Sequence, residues 1–482
     1  MKNLNNYTIS HKASLYDGLK KMDLGSDGVL LILNGKKLIG ILTDGDYRRL
    51  VIEKVDFNDS ITLHANKKFT FSYEDESMEQ KLTKLSRKIN HLPIMSSNGD
   101  LKDLITSKDL LHIPISNPNI SGNEKKYVLD AINSGWISSQ GKYVKAFEDS
   151  LRDYLNTSKK NINLTTTSSG TAALELVLKA LGIKKGDEVI VPTVTFGATA
   201  SSIINIGARP VFVDVDLSTF NIDINLINNA VTKKTKAIIV VHLYGNPADL
   251  QKIDQICKKN NILLIEDAAE ALGSKYKDEF CGLFGDAGIF SFFANKLITT
   301  GEGGAAIFKN TEHLKVALTI KNHGMDSKRK YWHNVVGNNY RLTNIQAALG
   351  LAQMEKIDSF LIRRKEIFEV YQKYFKRSDL FITPKIIKNT QSSFWLYPIL
   401  RKEPHYDSFE NLVEHFRKFS IETRPVFPPL HLQPAFREFN KKSMVISEKY
   451  FLHGVCLPIS NKMSNKEVGI IKSCLESFFN EN

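Results

Sequence analysis

From about residue 160 onward, continuous apolar runs alternate with amphipathic stretches: DEVIVPT, ARPVFVDVD, KAIIVVHLYG, NILLIED and DAGIFSFF, separated by segments such as ADLQKIDQICKKNN. Runs that are apolar at successive positions fit strands covered on both faces, so the pattern predicts a mainly parallel sheet with crossover helices. The stretch TNIQAALGLAQMEKIDSFLIRRKEIFEVYQKYF predicts two helices or one kinked helix. The tail that follows mixes short strands, prolines and helices, and reads as a smaller C-terminal α+β domain.

The start of the chain has a different pattern. GVLLILNGKKLIGILTDGDYRRLV and HLPIMSSNGDLKDLITSKDLL each read as strand, turn, strand and then a T-x-x-D helix start, with Asn34-Gly35 and Asn98-Gly99 as matching hairpin signals. A duplicated supersecondary unit is the simplest account. IPISNPNISG then reads as a linker, and Ser121 with Glu124 predicts a capping box for the next helix. Three segments follow: residues 1–113, a large domain over 114–365 and a small one over 366–482.

At 482 residues the chain has ample interior for several hydrophobic cores. No apolar run is long enough to span a bilayer, and the opening MKNLNNYTIS has no secretory core, so a cytoplasmic protein that does not engage membranes is expected. The four cysteines, Cys257, Cys281, Cys456 and Cys474, are too widely and irregularly spaced for a disulfide framework or a zinc site; reduced thiols and no metal are expected. The net charge of +13 comes without any recognition-helix, RNP or zinc-finger signature, so nucleic acid is not the expected partner. Residues 1–113 hold 17 basic and 15 acidic residues, which leaves the excess in the larger part, where an anionic substrate is one use for it.

That larger part carries the candidate chemistry. Lys296, in GIFSFFANKLITTGEGGAAIF, follows one apolar strand and precedes a Gly-Glu-Gly-Gly turn into another, at a sheet edge where α/β sites form. Asp267 ends the strand ILLIED, and Glu270 follows in DAAEALG. A lysine amine and a carboxylate beneath a pyridine nitrogen are the two groups that a pyridoxal phosphate enzyme needs. TTTSSGTAALELVLKAL adds an anion site, because Ser169, Gly170 and Thr171 stand just before an amphipathic helix. Phe196 in PTVTFGATA can cover a ring by stacking, and Ser291 in FSFF can reach the phosphate. Ser-Gly-Thr alone is a common helix cap; it is the combination in this order that is specific.

With these motifs in place, residues from about 114 to 482 resemble sugar aminotransferases of the DegT/DnrJ/StrS type. The resemblance implies the type I aminotransferase fold, pyridoxal 5'-phosphate, glutamate as amino donor and a nucleotide-linked keto-sugar substrate. It makes Lys296 the Schiff-base lysine and Asp267 the partner of the pyridine nitrogen. Ser169, Gly170, Thr171 and Ser291 then bind phosphate, Phe196 stacks on the ring and Glu270 lies near it. Asn339 in GNNYR matches an asparagine that reaches a phosphate across a dimer interface, so a homodimer is implied. The segments GWISSQGKYVKAFE, HLYGNPADL and IETRPVFPPLHLQPAF are most similar to the GDP-perosamine synthases, which aminate C4 of GDP-4-keto-6-deoxy-mannose. A related branch that removes a hydroxyl has histidine in place of the lysine, so Lys296 speaks for amination. Phe196 departs from the tyrosine expected in several perosamine synthases, and a UDP- or dTDP-linked sugar is compatible with the same motifs.

Lys328, Arg329 and Lys330, with Tyr331, Trp332 and His333, form a basic aromatic loop that suits a diphosphate and a base, and equally a solvated turn. The first 113 residues resemble a tandem CBS module. That resemblance implies an adenine nucleotide held by Thr43 and Asp46, with Thr106 and Asp109 as the second pair, where Asp103 replaces the pattern's glycine. A protein of another class, a nucleotide sensor that works through this module without catalysis, is the competing reading.

Overall fold

In a computed structural model of the chain, residues 4–24, 28–76, 80, 81, 84, 85, 89–106, 113–156, 161–402, 409–440 and 442–481 are described. The chain divides into two units, one of residues 1–112 with 417–420 and one of 113–416 with 421–482.

In the first unit, β1 (Thr8–Ser10) runs parallel to β2 (Val29–Asn34), which pairs antiparallel with β3 (Lys37–Thr43). The same arrangement recurs in β4 (Ser72–Tyr73), β5 (His91–Met95) and β6 (Leu101–Thr106). The hairpin turns differ from the sequence expectation. Asn34 is still a strand residue, paired with Lys37, so the two loop residues are Gly35 and Lys36, with Gly35 supplying the positive φ of 64°. Asn98 and Gly99 sit in a longer loop, because the strand pairing ends at Met95 and Leu101. Thr43 caps the Asp44–Ile52 helix, and Thr43 and Asp46 form a reciprocal capping box.

The second unit is built on a seven-stranded sheet. Its strands are β7 (Asn163–Thr167), β8 (Glu188–Pro192), β9 (Arg209–Val213), β10 (Thr235–Val241) and β11 (Leu263–Asp267), then, after a short hairpin of β12 (Lys275–Tyr276) and β13 (Glu279–Phe280), β14 (Ala287–Ser291) and β15 (Gly304–Phe308). The order is β7-β15-β14-β11-β10-β8-β9, with β15 antiparallel to both its neighbours and the other pairings parallel. Along β10 successive side chains enter two different cores: Ile238 and Val240 pack with the helices Lys142–Leu155 and Leu250–Asn260, and Ala237 and Ile239 with Gly170–Ala180 and Ala198–Asn205. This two-sided burial is why the strands read as uninterrupted apolar runs.

The long helical pattern is two helices, Asn344–Met354 and Ile357–Phe375. The expected division at residue 366 falls inside the second of these, and both parts belong to one unit. Beyond it, β16 (Phe381–Ile382), β18 (Tyr397–Arg401), β19 (Arg424–Pro425) and β20 (Gly454–Leu457) form an antiparallel sheet, while β17 (Thr390–Gln391) pairs with β12.

The polar segment after residue 112 is not a free linker. Ile113 and Ile115 are buried, Ile113 pairs with Ile421, and the Ile115 N–H donates to Glu422 Oε2 at 2.8 Å. The expected Ser121–Glu124 capping box does not form either. Asn123 is the N-cap, and the buried Glu124 accepts from the Gly122 N–H and Gln353 Nε2, both at 2.6 Å. A chain starting at Ile113 is therefore expected to fold, whereas one starting at Asn117 forfeits two buried isoleucines at about 2–5 kcal/mol each. Urea midpoints of the two truncations measure this, and equal midpoints would show that the segment contributes nothing.

Candidate active site

Strands β7, β8, β10, β11 and β14 all point their C-terminal ends at one edge of the sheet, the edge at which open α/β folds bind ligands. A cavity of about 520 Å³ opens there. Asp267, the last residue of β11, is 4% exposed; its carboxylate accepts from Thr199 Oγ1 at 2.8 Å and the Ala269 N–H at 3.2 Å. Lys296 lies on the loop between β14 and β15. Its Nζ is 3.8 Å from Glu270 Oε1 and 3.8 Å from the centroid of the Trp395 ring. The other Glu270 oxygen accepts the Tyr244 N–H at 2.7 Å, and Tyr244 reaches that position with a φ of 55°.

Burial sets the electrostatics. Loss of hydration pushes the Asp267 and Glu270 carboxyls up; the hydrogen bonds from Thr199 and Ala269 at Asp267, and the Lys296 charge at Glu270, only partly offset this. The Lys296 amine is pulled down by the same burial, with the two carboxylates acting in the opposite direction.

The other end of the cavity is an anion cradle. Ser169 caps the Gly170–Ala180 helix, accepting from the Ala172 N–H at 3.1 Å. A Cβ on Gly170 would lie 3.0 Å from the Ser291 Cβ, so glycine keeps the space between the helix start and Ser291 open. A Cβ on Gly304 would lie 2.6 Å from the Ser169 carbonyl oxygen, which explains a glycine of the Gly-Glu-Gly-Gly turn. Thr171 lines the same end. Phe196 stands at the rim, 63% exposed, with its ring 6.2 Å from that of Phe427.

Other sequence candidates lie elsewhere. Asn339 is exposed, its Oδ1 accepts from Arg341 Nε at 3.0 Å, and it does not line this cavity. Lys328, Arg329, Tyr331, Trp332 and His333 occupy an exposed turn braced by Asp326, which accepts the Lys328 and Arg329 N–H groups at 2.8 Å. Within it the Arg329 guanidinium stacks on Trp332 at 4.1 Å, and His333 Nδ1 meets the His323 carbonyl at 2.8 Å; none of these residues lines the cavity. In the first unit, Asp46 accepts from the Thr43 N–H at 2.7 Å, from Thr43 Oγ1 at 2.6 Å and from Arg49 at 2.5 Å, so both side chains serve the helix cap. Thr106 is buried at the end of β6, and Asp109 lies outside the described residues.

Sequence reasoning missed Thr199, Tyr244 and Trp395. Thr199, three residues after Phe196 at the start of a helix, was within reach of a local reading. Trp395 arrives from the far end of the chain, with no local signal.

Behind the site, Glu266 accepts the N–H groups of Gly282 at 2.8 Å, Phe284 at 2.7 Å and Gly285 at 2.8 Å, and pairs with His242 Nε2 at 3.0 Å. His242 Nδ1 accepts the Ala248 N–H at 3.1 Å, which leaves the ring proton on Nε2, facing Glu266. Cys281 lies in the same group, in which Glu266 braces the turn after β13.

Residues 118–476 match the DegT/DnrJ/EryC1/StrS aminotransferase family. The chain belongs to that family, and its activity is that of a pyridoxal-phosphate-dependent sugar aminotransferase. Among similar proteins, the GDP-perosamine synthase of Escherichia coli O157:H7 is 42% identical over 370 residues, covering 77% of this chain and 99% of the relative. The GDP-perosamine synthase of Vibrio cholerae is 37% identical over 76% of this chain and 99% of the relative. Among solved structures, the pyridoxamine-phosphate form of the sugar aminotransferase Spr1654 from Streptococcus pneumoniae aligns with a TM-score of 0.71 at 31% identity, over 77% of this chain and 99% of that one. Helicobacter pylori PseC, an aminotransferase of pseudoaminic acid biosynthesis, aligns with the same TM-score at 28% identity, over 77% of this chain and the whole of that one. Among the described residues no helix is long and apolar enough to cross a membrane.

The raised Asp267 carboxyl has a consequence for stability. A group protonated more readily in the folded than in the unfolded state contributes most below its unfolded value, and that contribution is lost as the pH rises through the folded one. Asn at this position can accept from Ala269 and donate to Thr199, whose own proton can turn to Thr195 Oγ1, 3.0 Å away. Cofactor-free Asp267→Asn is thus expected to unfold at or above the parent temperature at pH 7, with its advantage shrinking in acid. Thermal scans across that range check the sign.

Proposed function

We propose that this enzyme transfers the amino group of glutamate to C4 of a nucleotide-linked 4-keto-6-deoxy sugar, with GDP-4-keto-6-deoxy-mannose as the first candidate and GDP-perosamine as the product. The observation that carries the reading is the Lys296 amine 3.8 Å from the buried Glu270 carboxylate, in a cavity that Asp267 also lines and that ends in an anion cradle. The perosamine assignment is supported by the two synthases at 42% and 37% identity, matched over 99% of their length.

When bound, pyridoxal phosphate supplies an aldehyde carbon that carries the amino group and a ring that accepts electrons. The residues fit that group. Ser169, Gly170, Thr171 and Ser291 offer hydroxyls and a helix N-terminus to its phosphate, and Asp267 offers a carboxylate to its ring nitrogen. Phe196 is free to cover the ring. Lys296 Nζ would anchor that group covalently and, when free, would be the base that takes up and returns a proton at Nζ. Glu270 Oε1, 3.8 Å from Nζ, would take or return its proton. The exposed Asn339 and the Lys328–His333 turn suit a second subunit's cavity better than their own.

A UDP- or dTDP-linked sugar would meet the same groups, and a panel of GDP-, UDP- and dTDP-4-keto-6-deoxy sugars separates these substrates. For the first unit, the repeated strand–hairpin plan supports a regulatory module for an adenine nucleotide; titrating AMP, ADP and ATP into the intact protein tests that reading. The sensor reading predicts nucleotide binding without any spectral change of the cofactor on adding glutamate.

Lys296→Ala is expected to lose turnover by several orders of magnitude, and wild-type activity in that variant would displace the site. Gly170→Ala, which crowds Ser291, is expected to weaken cofactor affinity about tenfold or more while the fold persists. Cofactor titration followed by absorbance measures it.

A further inference from the structure

The loop that carries Lys296 is held through three successive peptide carbonyls, each by a different distant element. Trp395 Nε1 donates to the Asn295 carbonyl at 2.9 Å, Arg364 Nη2 to that of Lys296 at 3.1 Å, and Asn461 Nδ2 to that of Leu297 at 3.0 Å. Of the three, Arg364 is chemically the most unusual. It sits in the middle of the Ile357–Phe375 helix, is fully buried, and its Nε and Nη1 have no hydrogen-bond partner. Among the described residues it makes no ion pair. Leaving a guanidinium buried and uncompensated costs several kcal/mol, so helix packing alone is a poor reason for an arginine here.

Resting on the reading of Lys296 as the cofactor-binding lysine, we propose that Arg364 is a positioning residue for it. The guanidinium fixes the Lys296 backbone through its carbonyl and opposes, at the amine, the negative charges of Asp267 and Glu270. The two carboxylates favour the protonated amine, and the Arg364 charge adds to burial in opposing them. The ionisable groups around the amine are Asp267, Glu270, Glu302, Arg424, Tyr244 and Cys456 on the cavity wall, with Arg364 behind it. Arg364 is among the groups that pull the Lys296 amine down, after burial itself. Burial lowers the guanidinium to about 9, which still leaves it charged at neutral pH.

The test uses the full chain and two variants that separate charge from hydrogen bond. Arg364→Gln can still donate to the carbonyl but has no charge, whereas Arg364→Lys keeps the charge. In the parent, borohydride reduction of the protein loaded with pyridoxal phosphate and peptide mapping first locate the tag. A tag away from Lys296 defeats the underlying reading, and a tag on Lys296 leaves the Arg364 claim to be judged separately. Reductive methylation of cofactor-free protein by formaldehyde and cyanoborohydride, quantified on the Lys296 peptide across pH, then gives the midpoint of the amine. Arg364→Gln is expected to raise that midpoint by about one pH unit or more. Arg364→Lys is expected to leave it near the parent's while lowering kcat about tenfold or more at unchanged glutamate KM. A folded Arg364→Gln with an unmoved midpoint overturns the proposal. If that variant does not fold, Arg364→Lys decides alone, and either a shifted midpoint or a parental kcat rejects the claim.

Discussion

Everything at this site turns on keeping a primary amine reactive inside a desolvated cavity that also holds two carboxylates. Burial acts in the same sense on all three groups, pushing Asp267 and Glu270 up and Lys296 down, toward their neutral forms. Coulomb attraction at 3.8 Å between Lys296 and Glu270 works the other way and favours the ion pair. With Arg364 included, the buried cluster has two acids and two bases and can be neutral overall. Under the proposed function, the balance between hydration lost and pairing gained would let a proton move between Nζ and a carboxylate, where a surface lysine would simply stay charged.

That balance requires fixed distances, and the fold supplies them from its most rigid parts. Asp267 is the last residue of a strand buried on both faces, and its Thr199 partner stands at the start of a helix packed on the same sheet. Glu270 is held by the Tyr244 N–H, at a left-handed backbone position that costs a non-glycine residue about 1–3 kcal/mol. The compensation is visible: the Tyr244 ring lies nearly parallel to those of Phe427 at 5.4 Å and Trp395 at 6.1 Å, which are 6.3 Å from each other, and its hydroxyl accepts the Phe427 N–H at 3.0 Å. Trp395 also lies under the Lys296 amine, so the same aromatic layer that stabilises the strained residue provides a π face to the cation.

Local chemistry governed what could be read from the chain. The apolar runs of β8, β10, β11 and β14 announce themselves because both faces of each are buried. Asp267, Ser169-Gly170-Thr171 and Ser291 were legible as candidates because each sits at the end of such a run or at the start of a helix, and Lys296 because it lies on the loop between two such runs. Arg364 and Trp395 were not, since their roles exist only after residues nearly 70 and 100 positions away in sequence are brought beside Lys296. The Ser121–Glu124 capping box failed for a related reason. Glu124 has a better partner in Gln353, on a helix that a local window does not contain. Asn34 misled on the hairpin because strand pairing took it up to the turn's edge, leaving glycine alone to provide the positive φ.

The cavity is better equipped for the cofactor than for the substrate. Among the residues that line it, the cations are Lys296 and Arg424, and Lys296 is already engaged with Glu270. A nucleotide-linked sugar brings a diphosphate that calls for basic, multidentate donors. The chain does present such donors, Lys328, Arg329 and Lys330, on a turn preorganised by Asp326 and by the Arg329–Trp332 stack, but away from its own cavity. Under the proposed function, a second subunit would resolve this division, with the chemistry supplied by one chain and the diphosphate donors by the other. Asn339, also exposed and also absent from the lining of its own cavity, would under the same proposal belong to that donated surface.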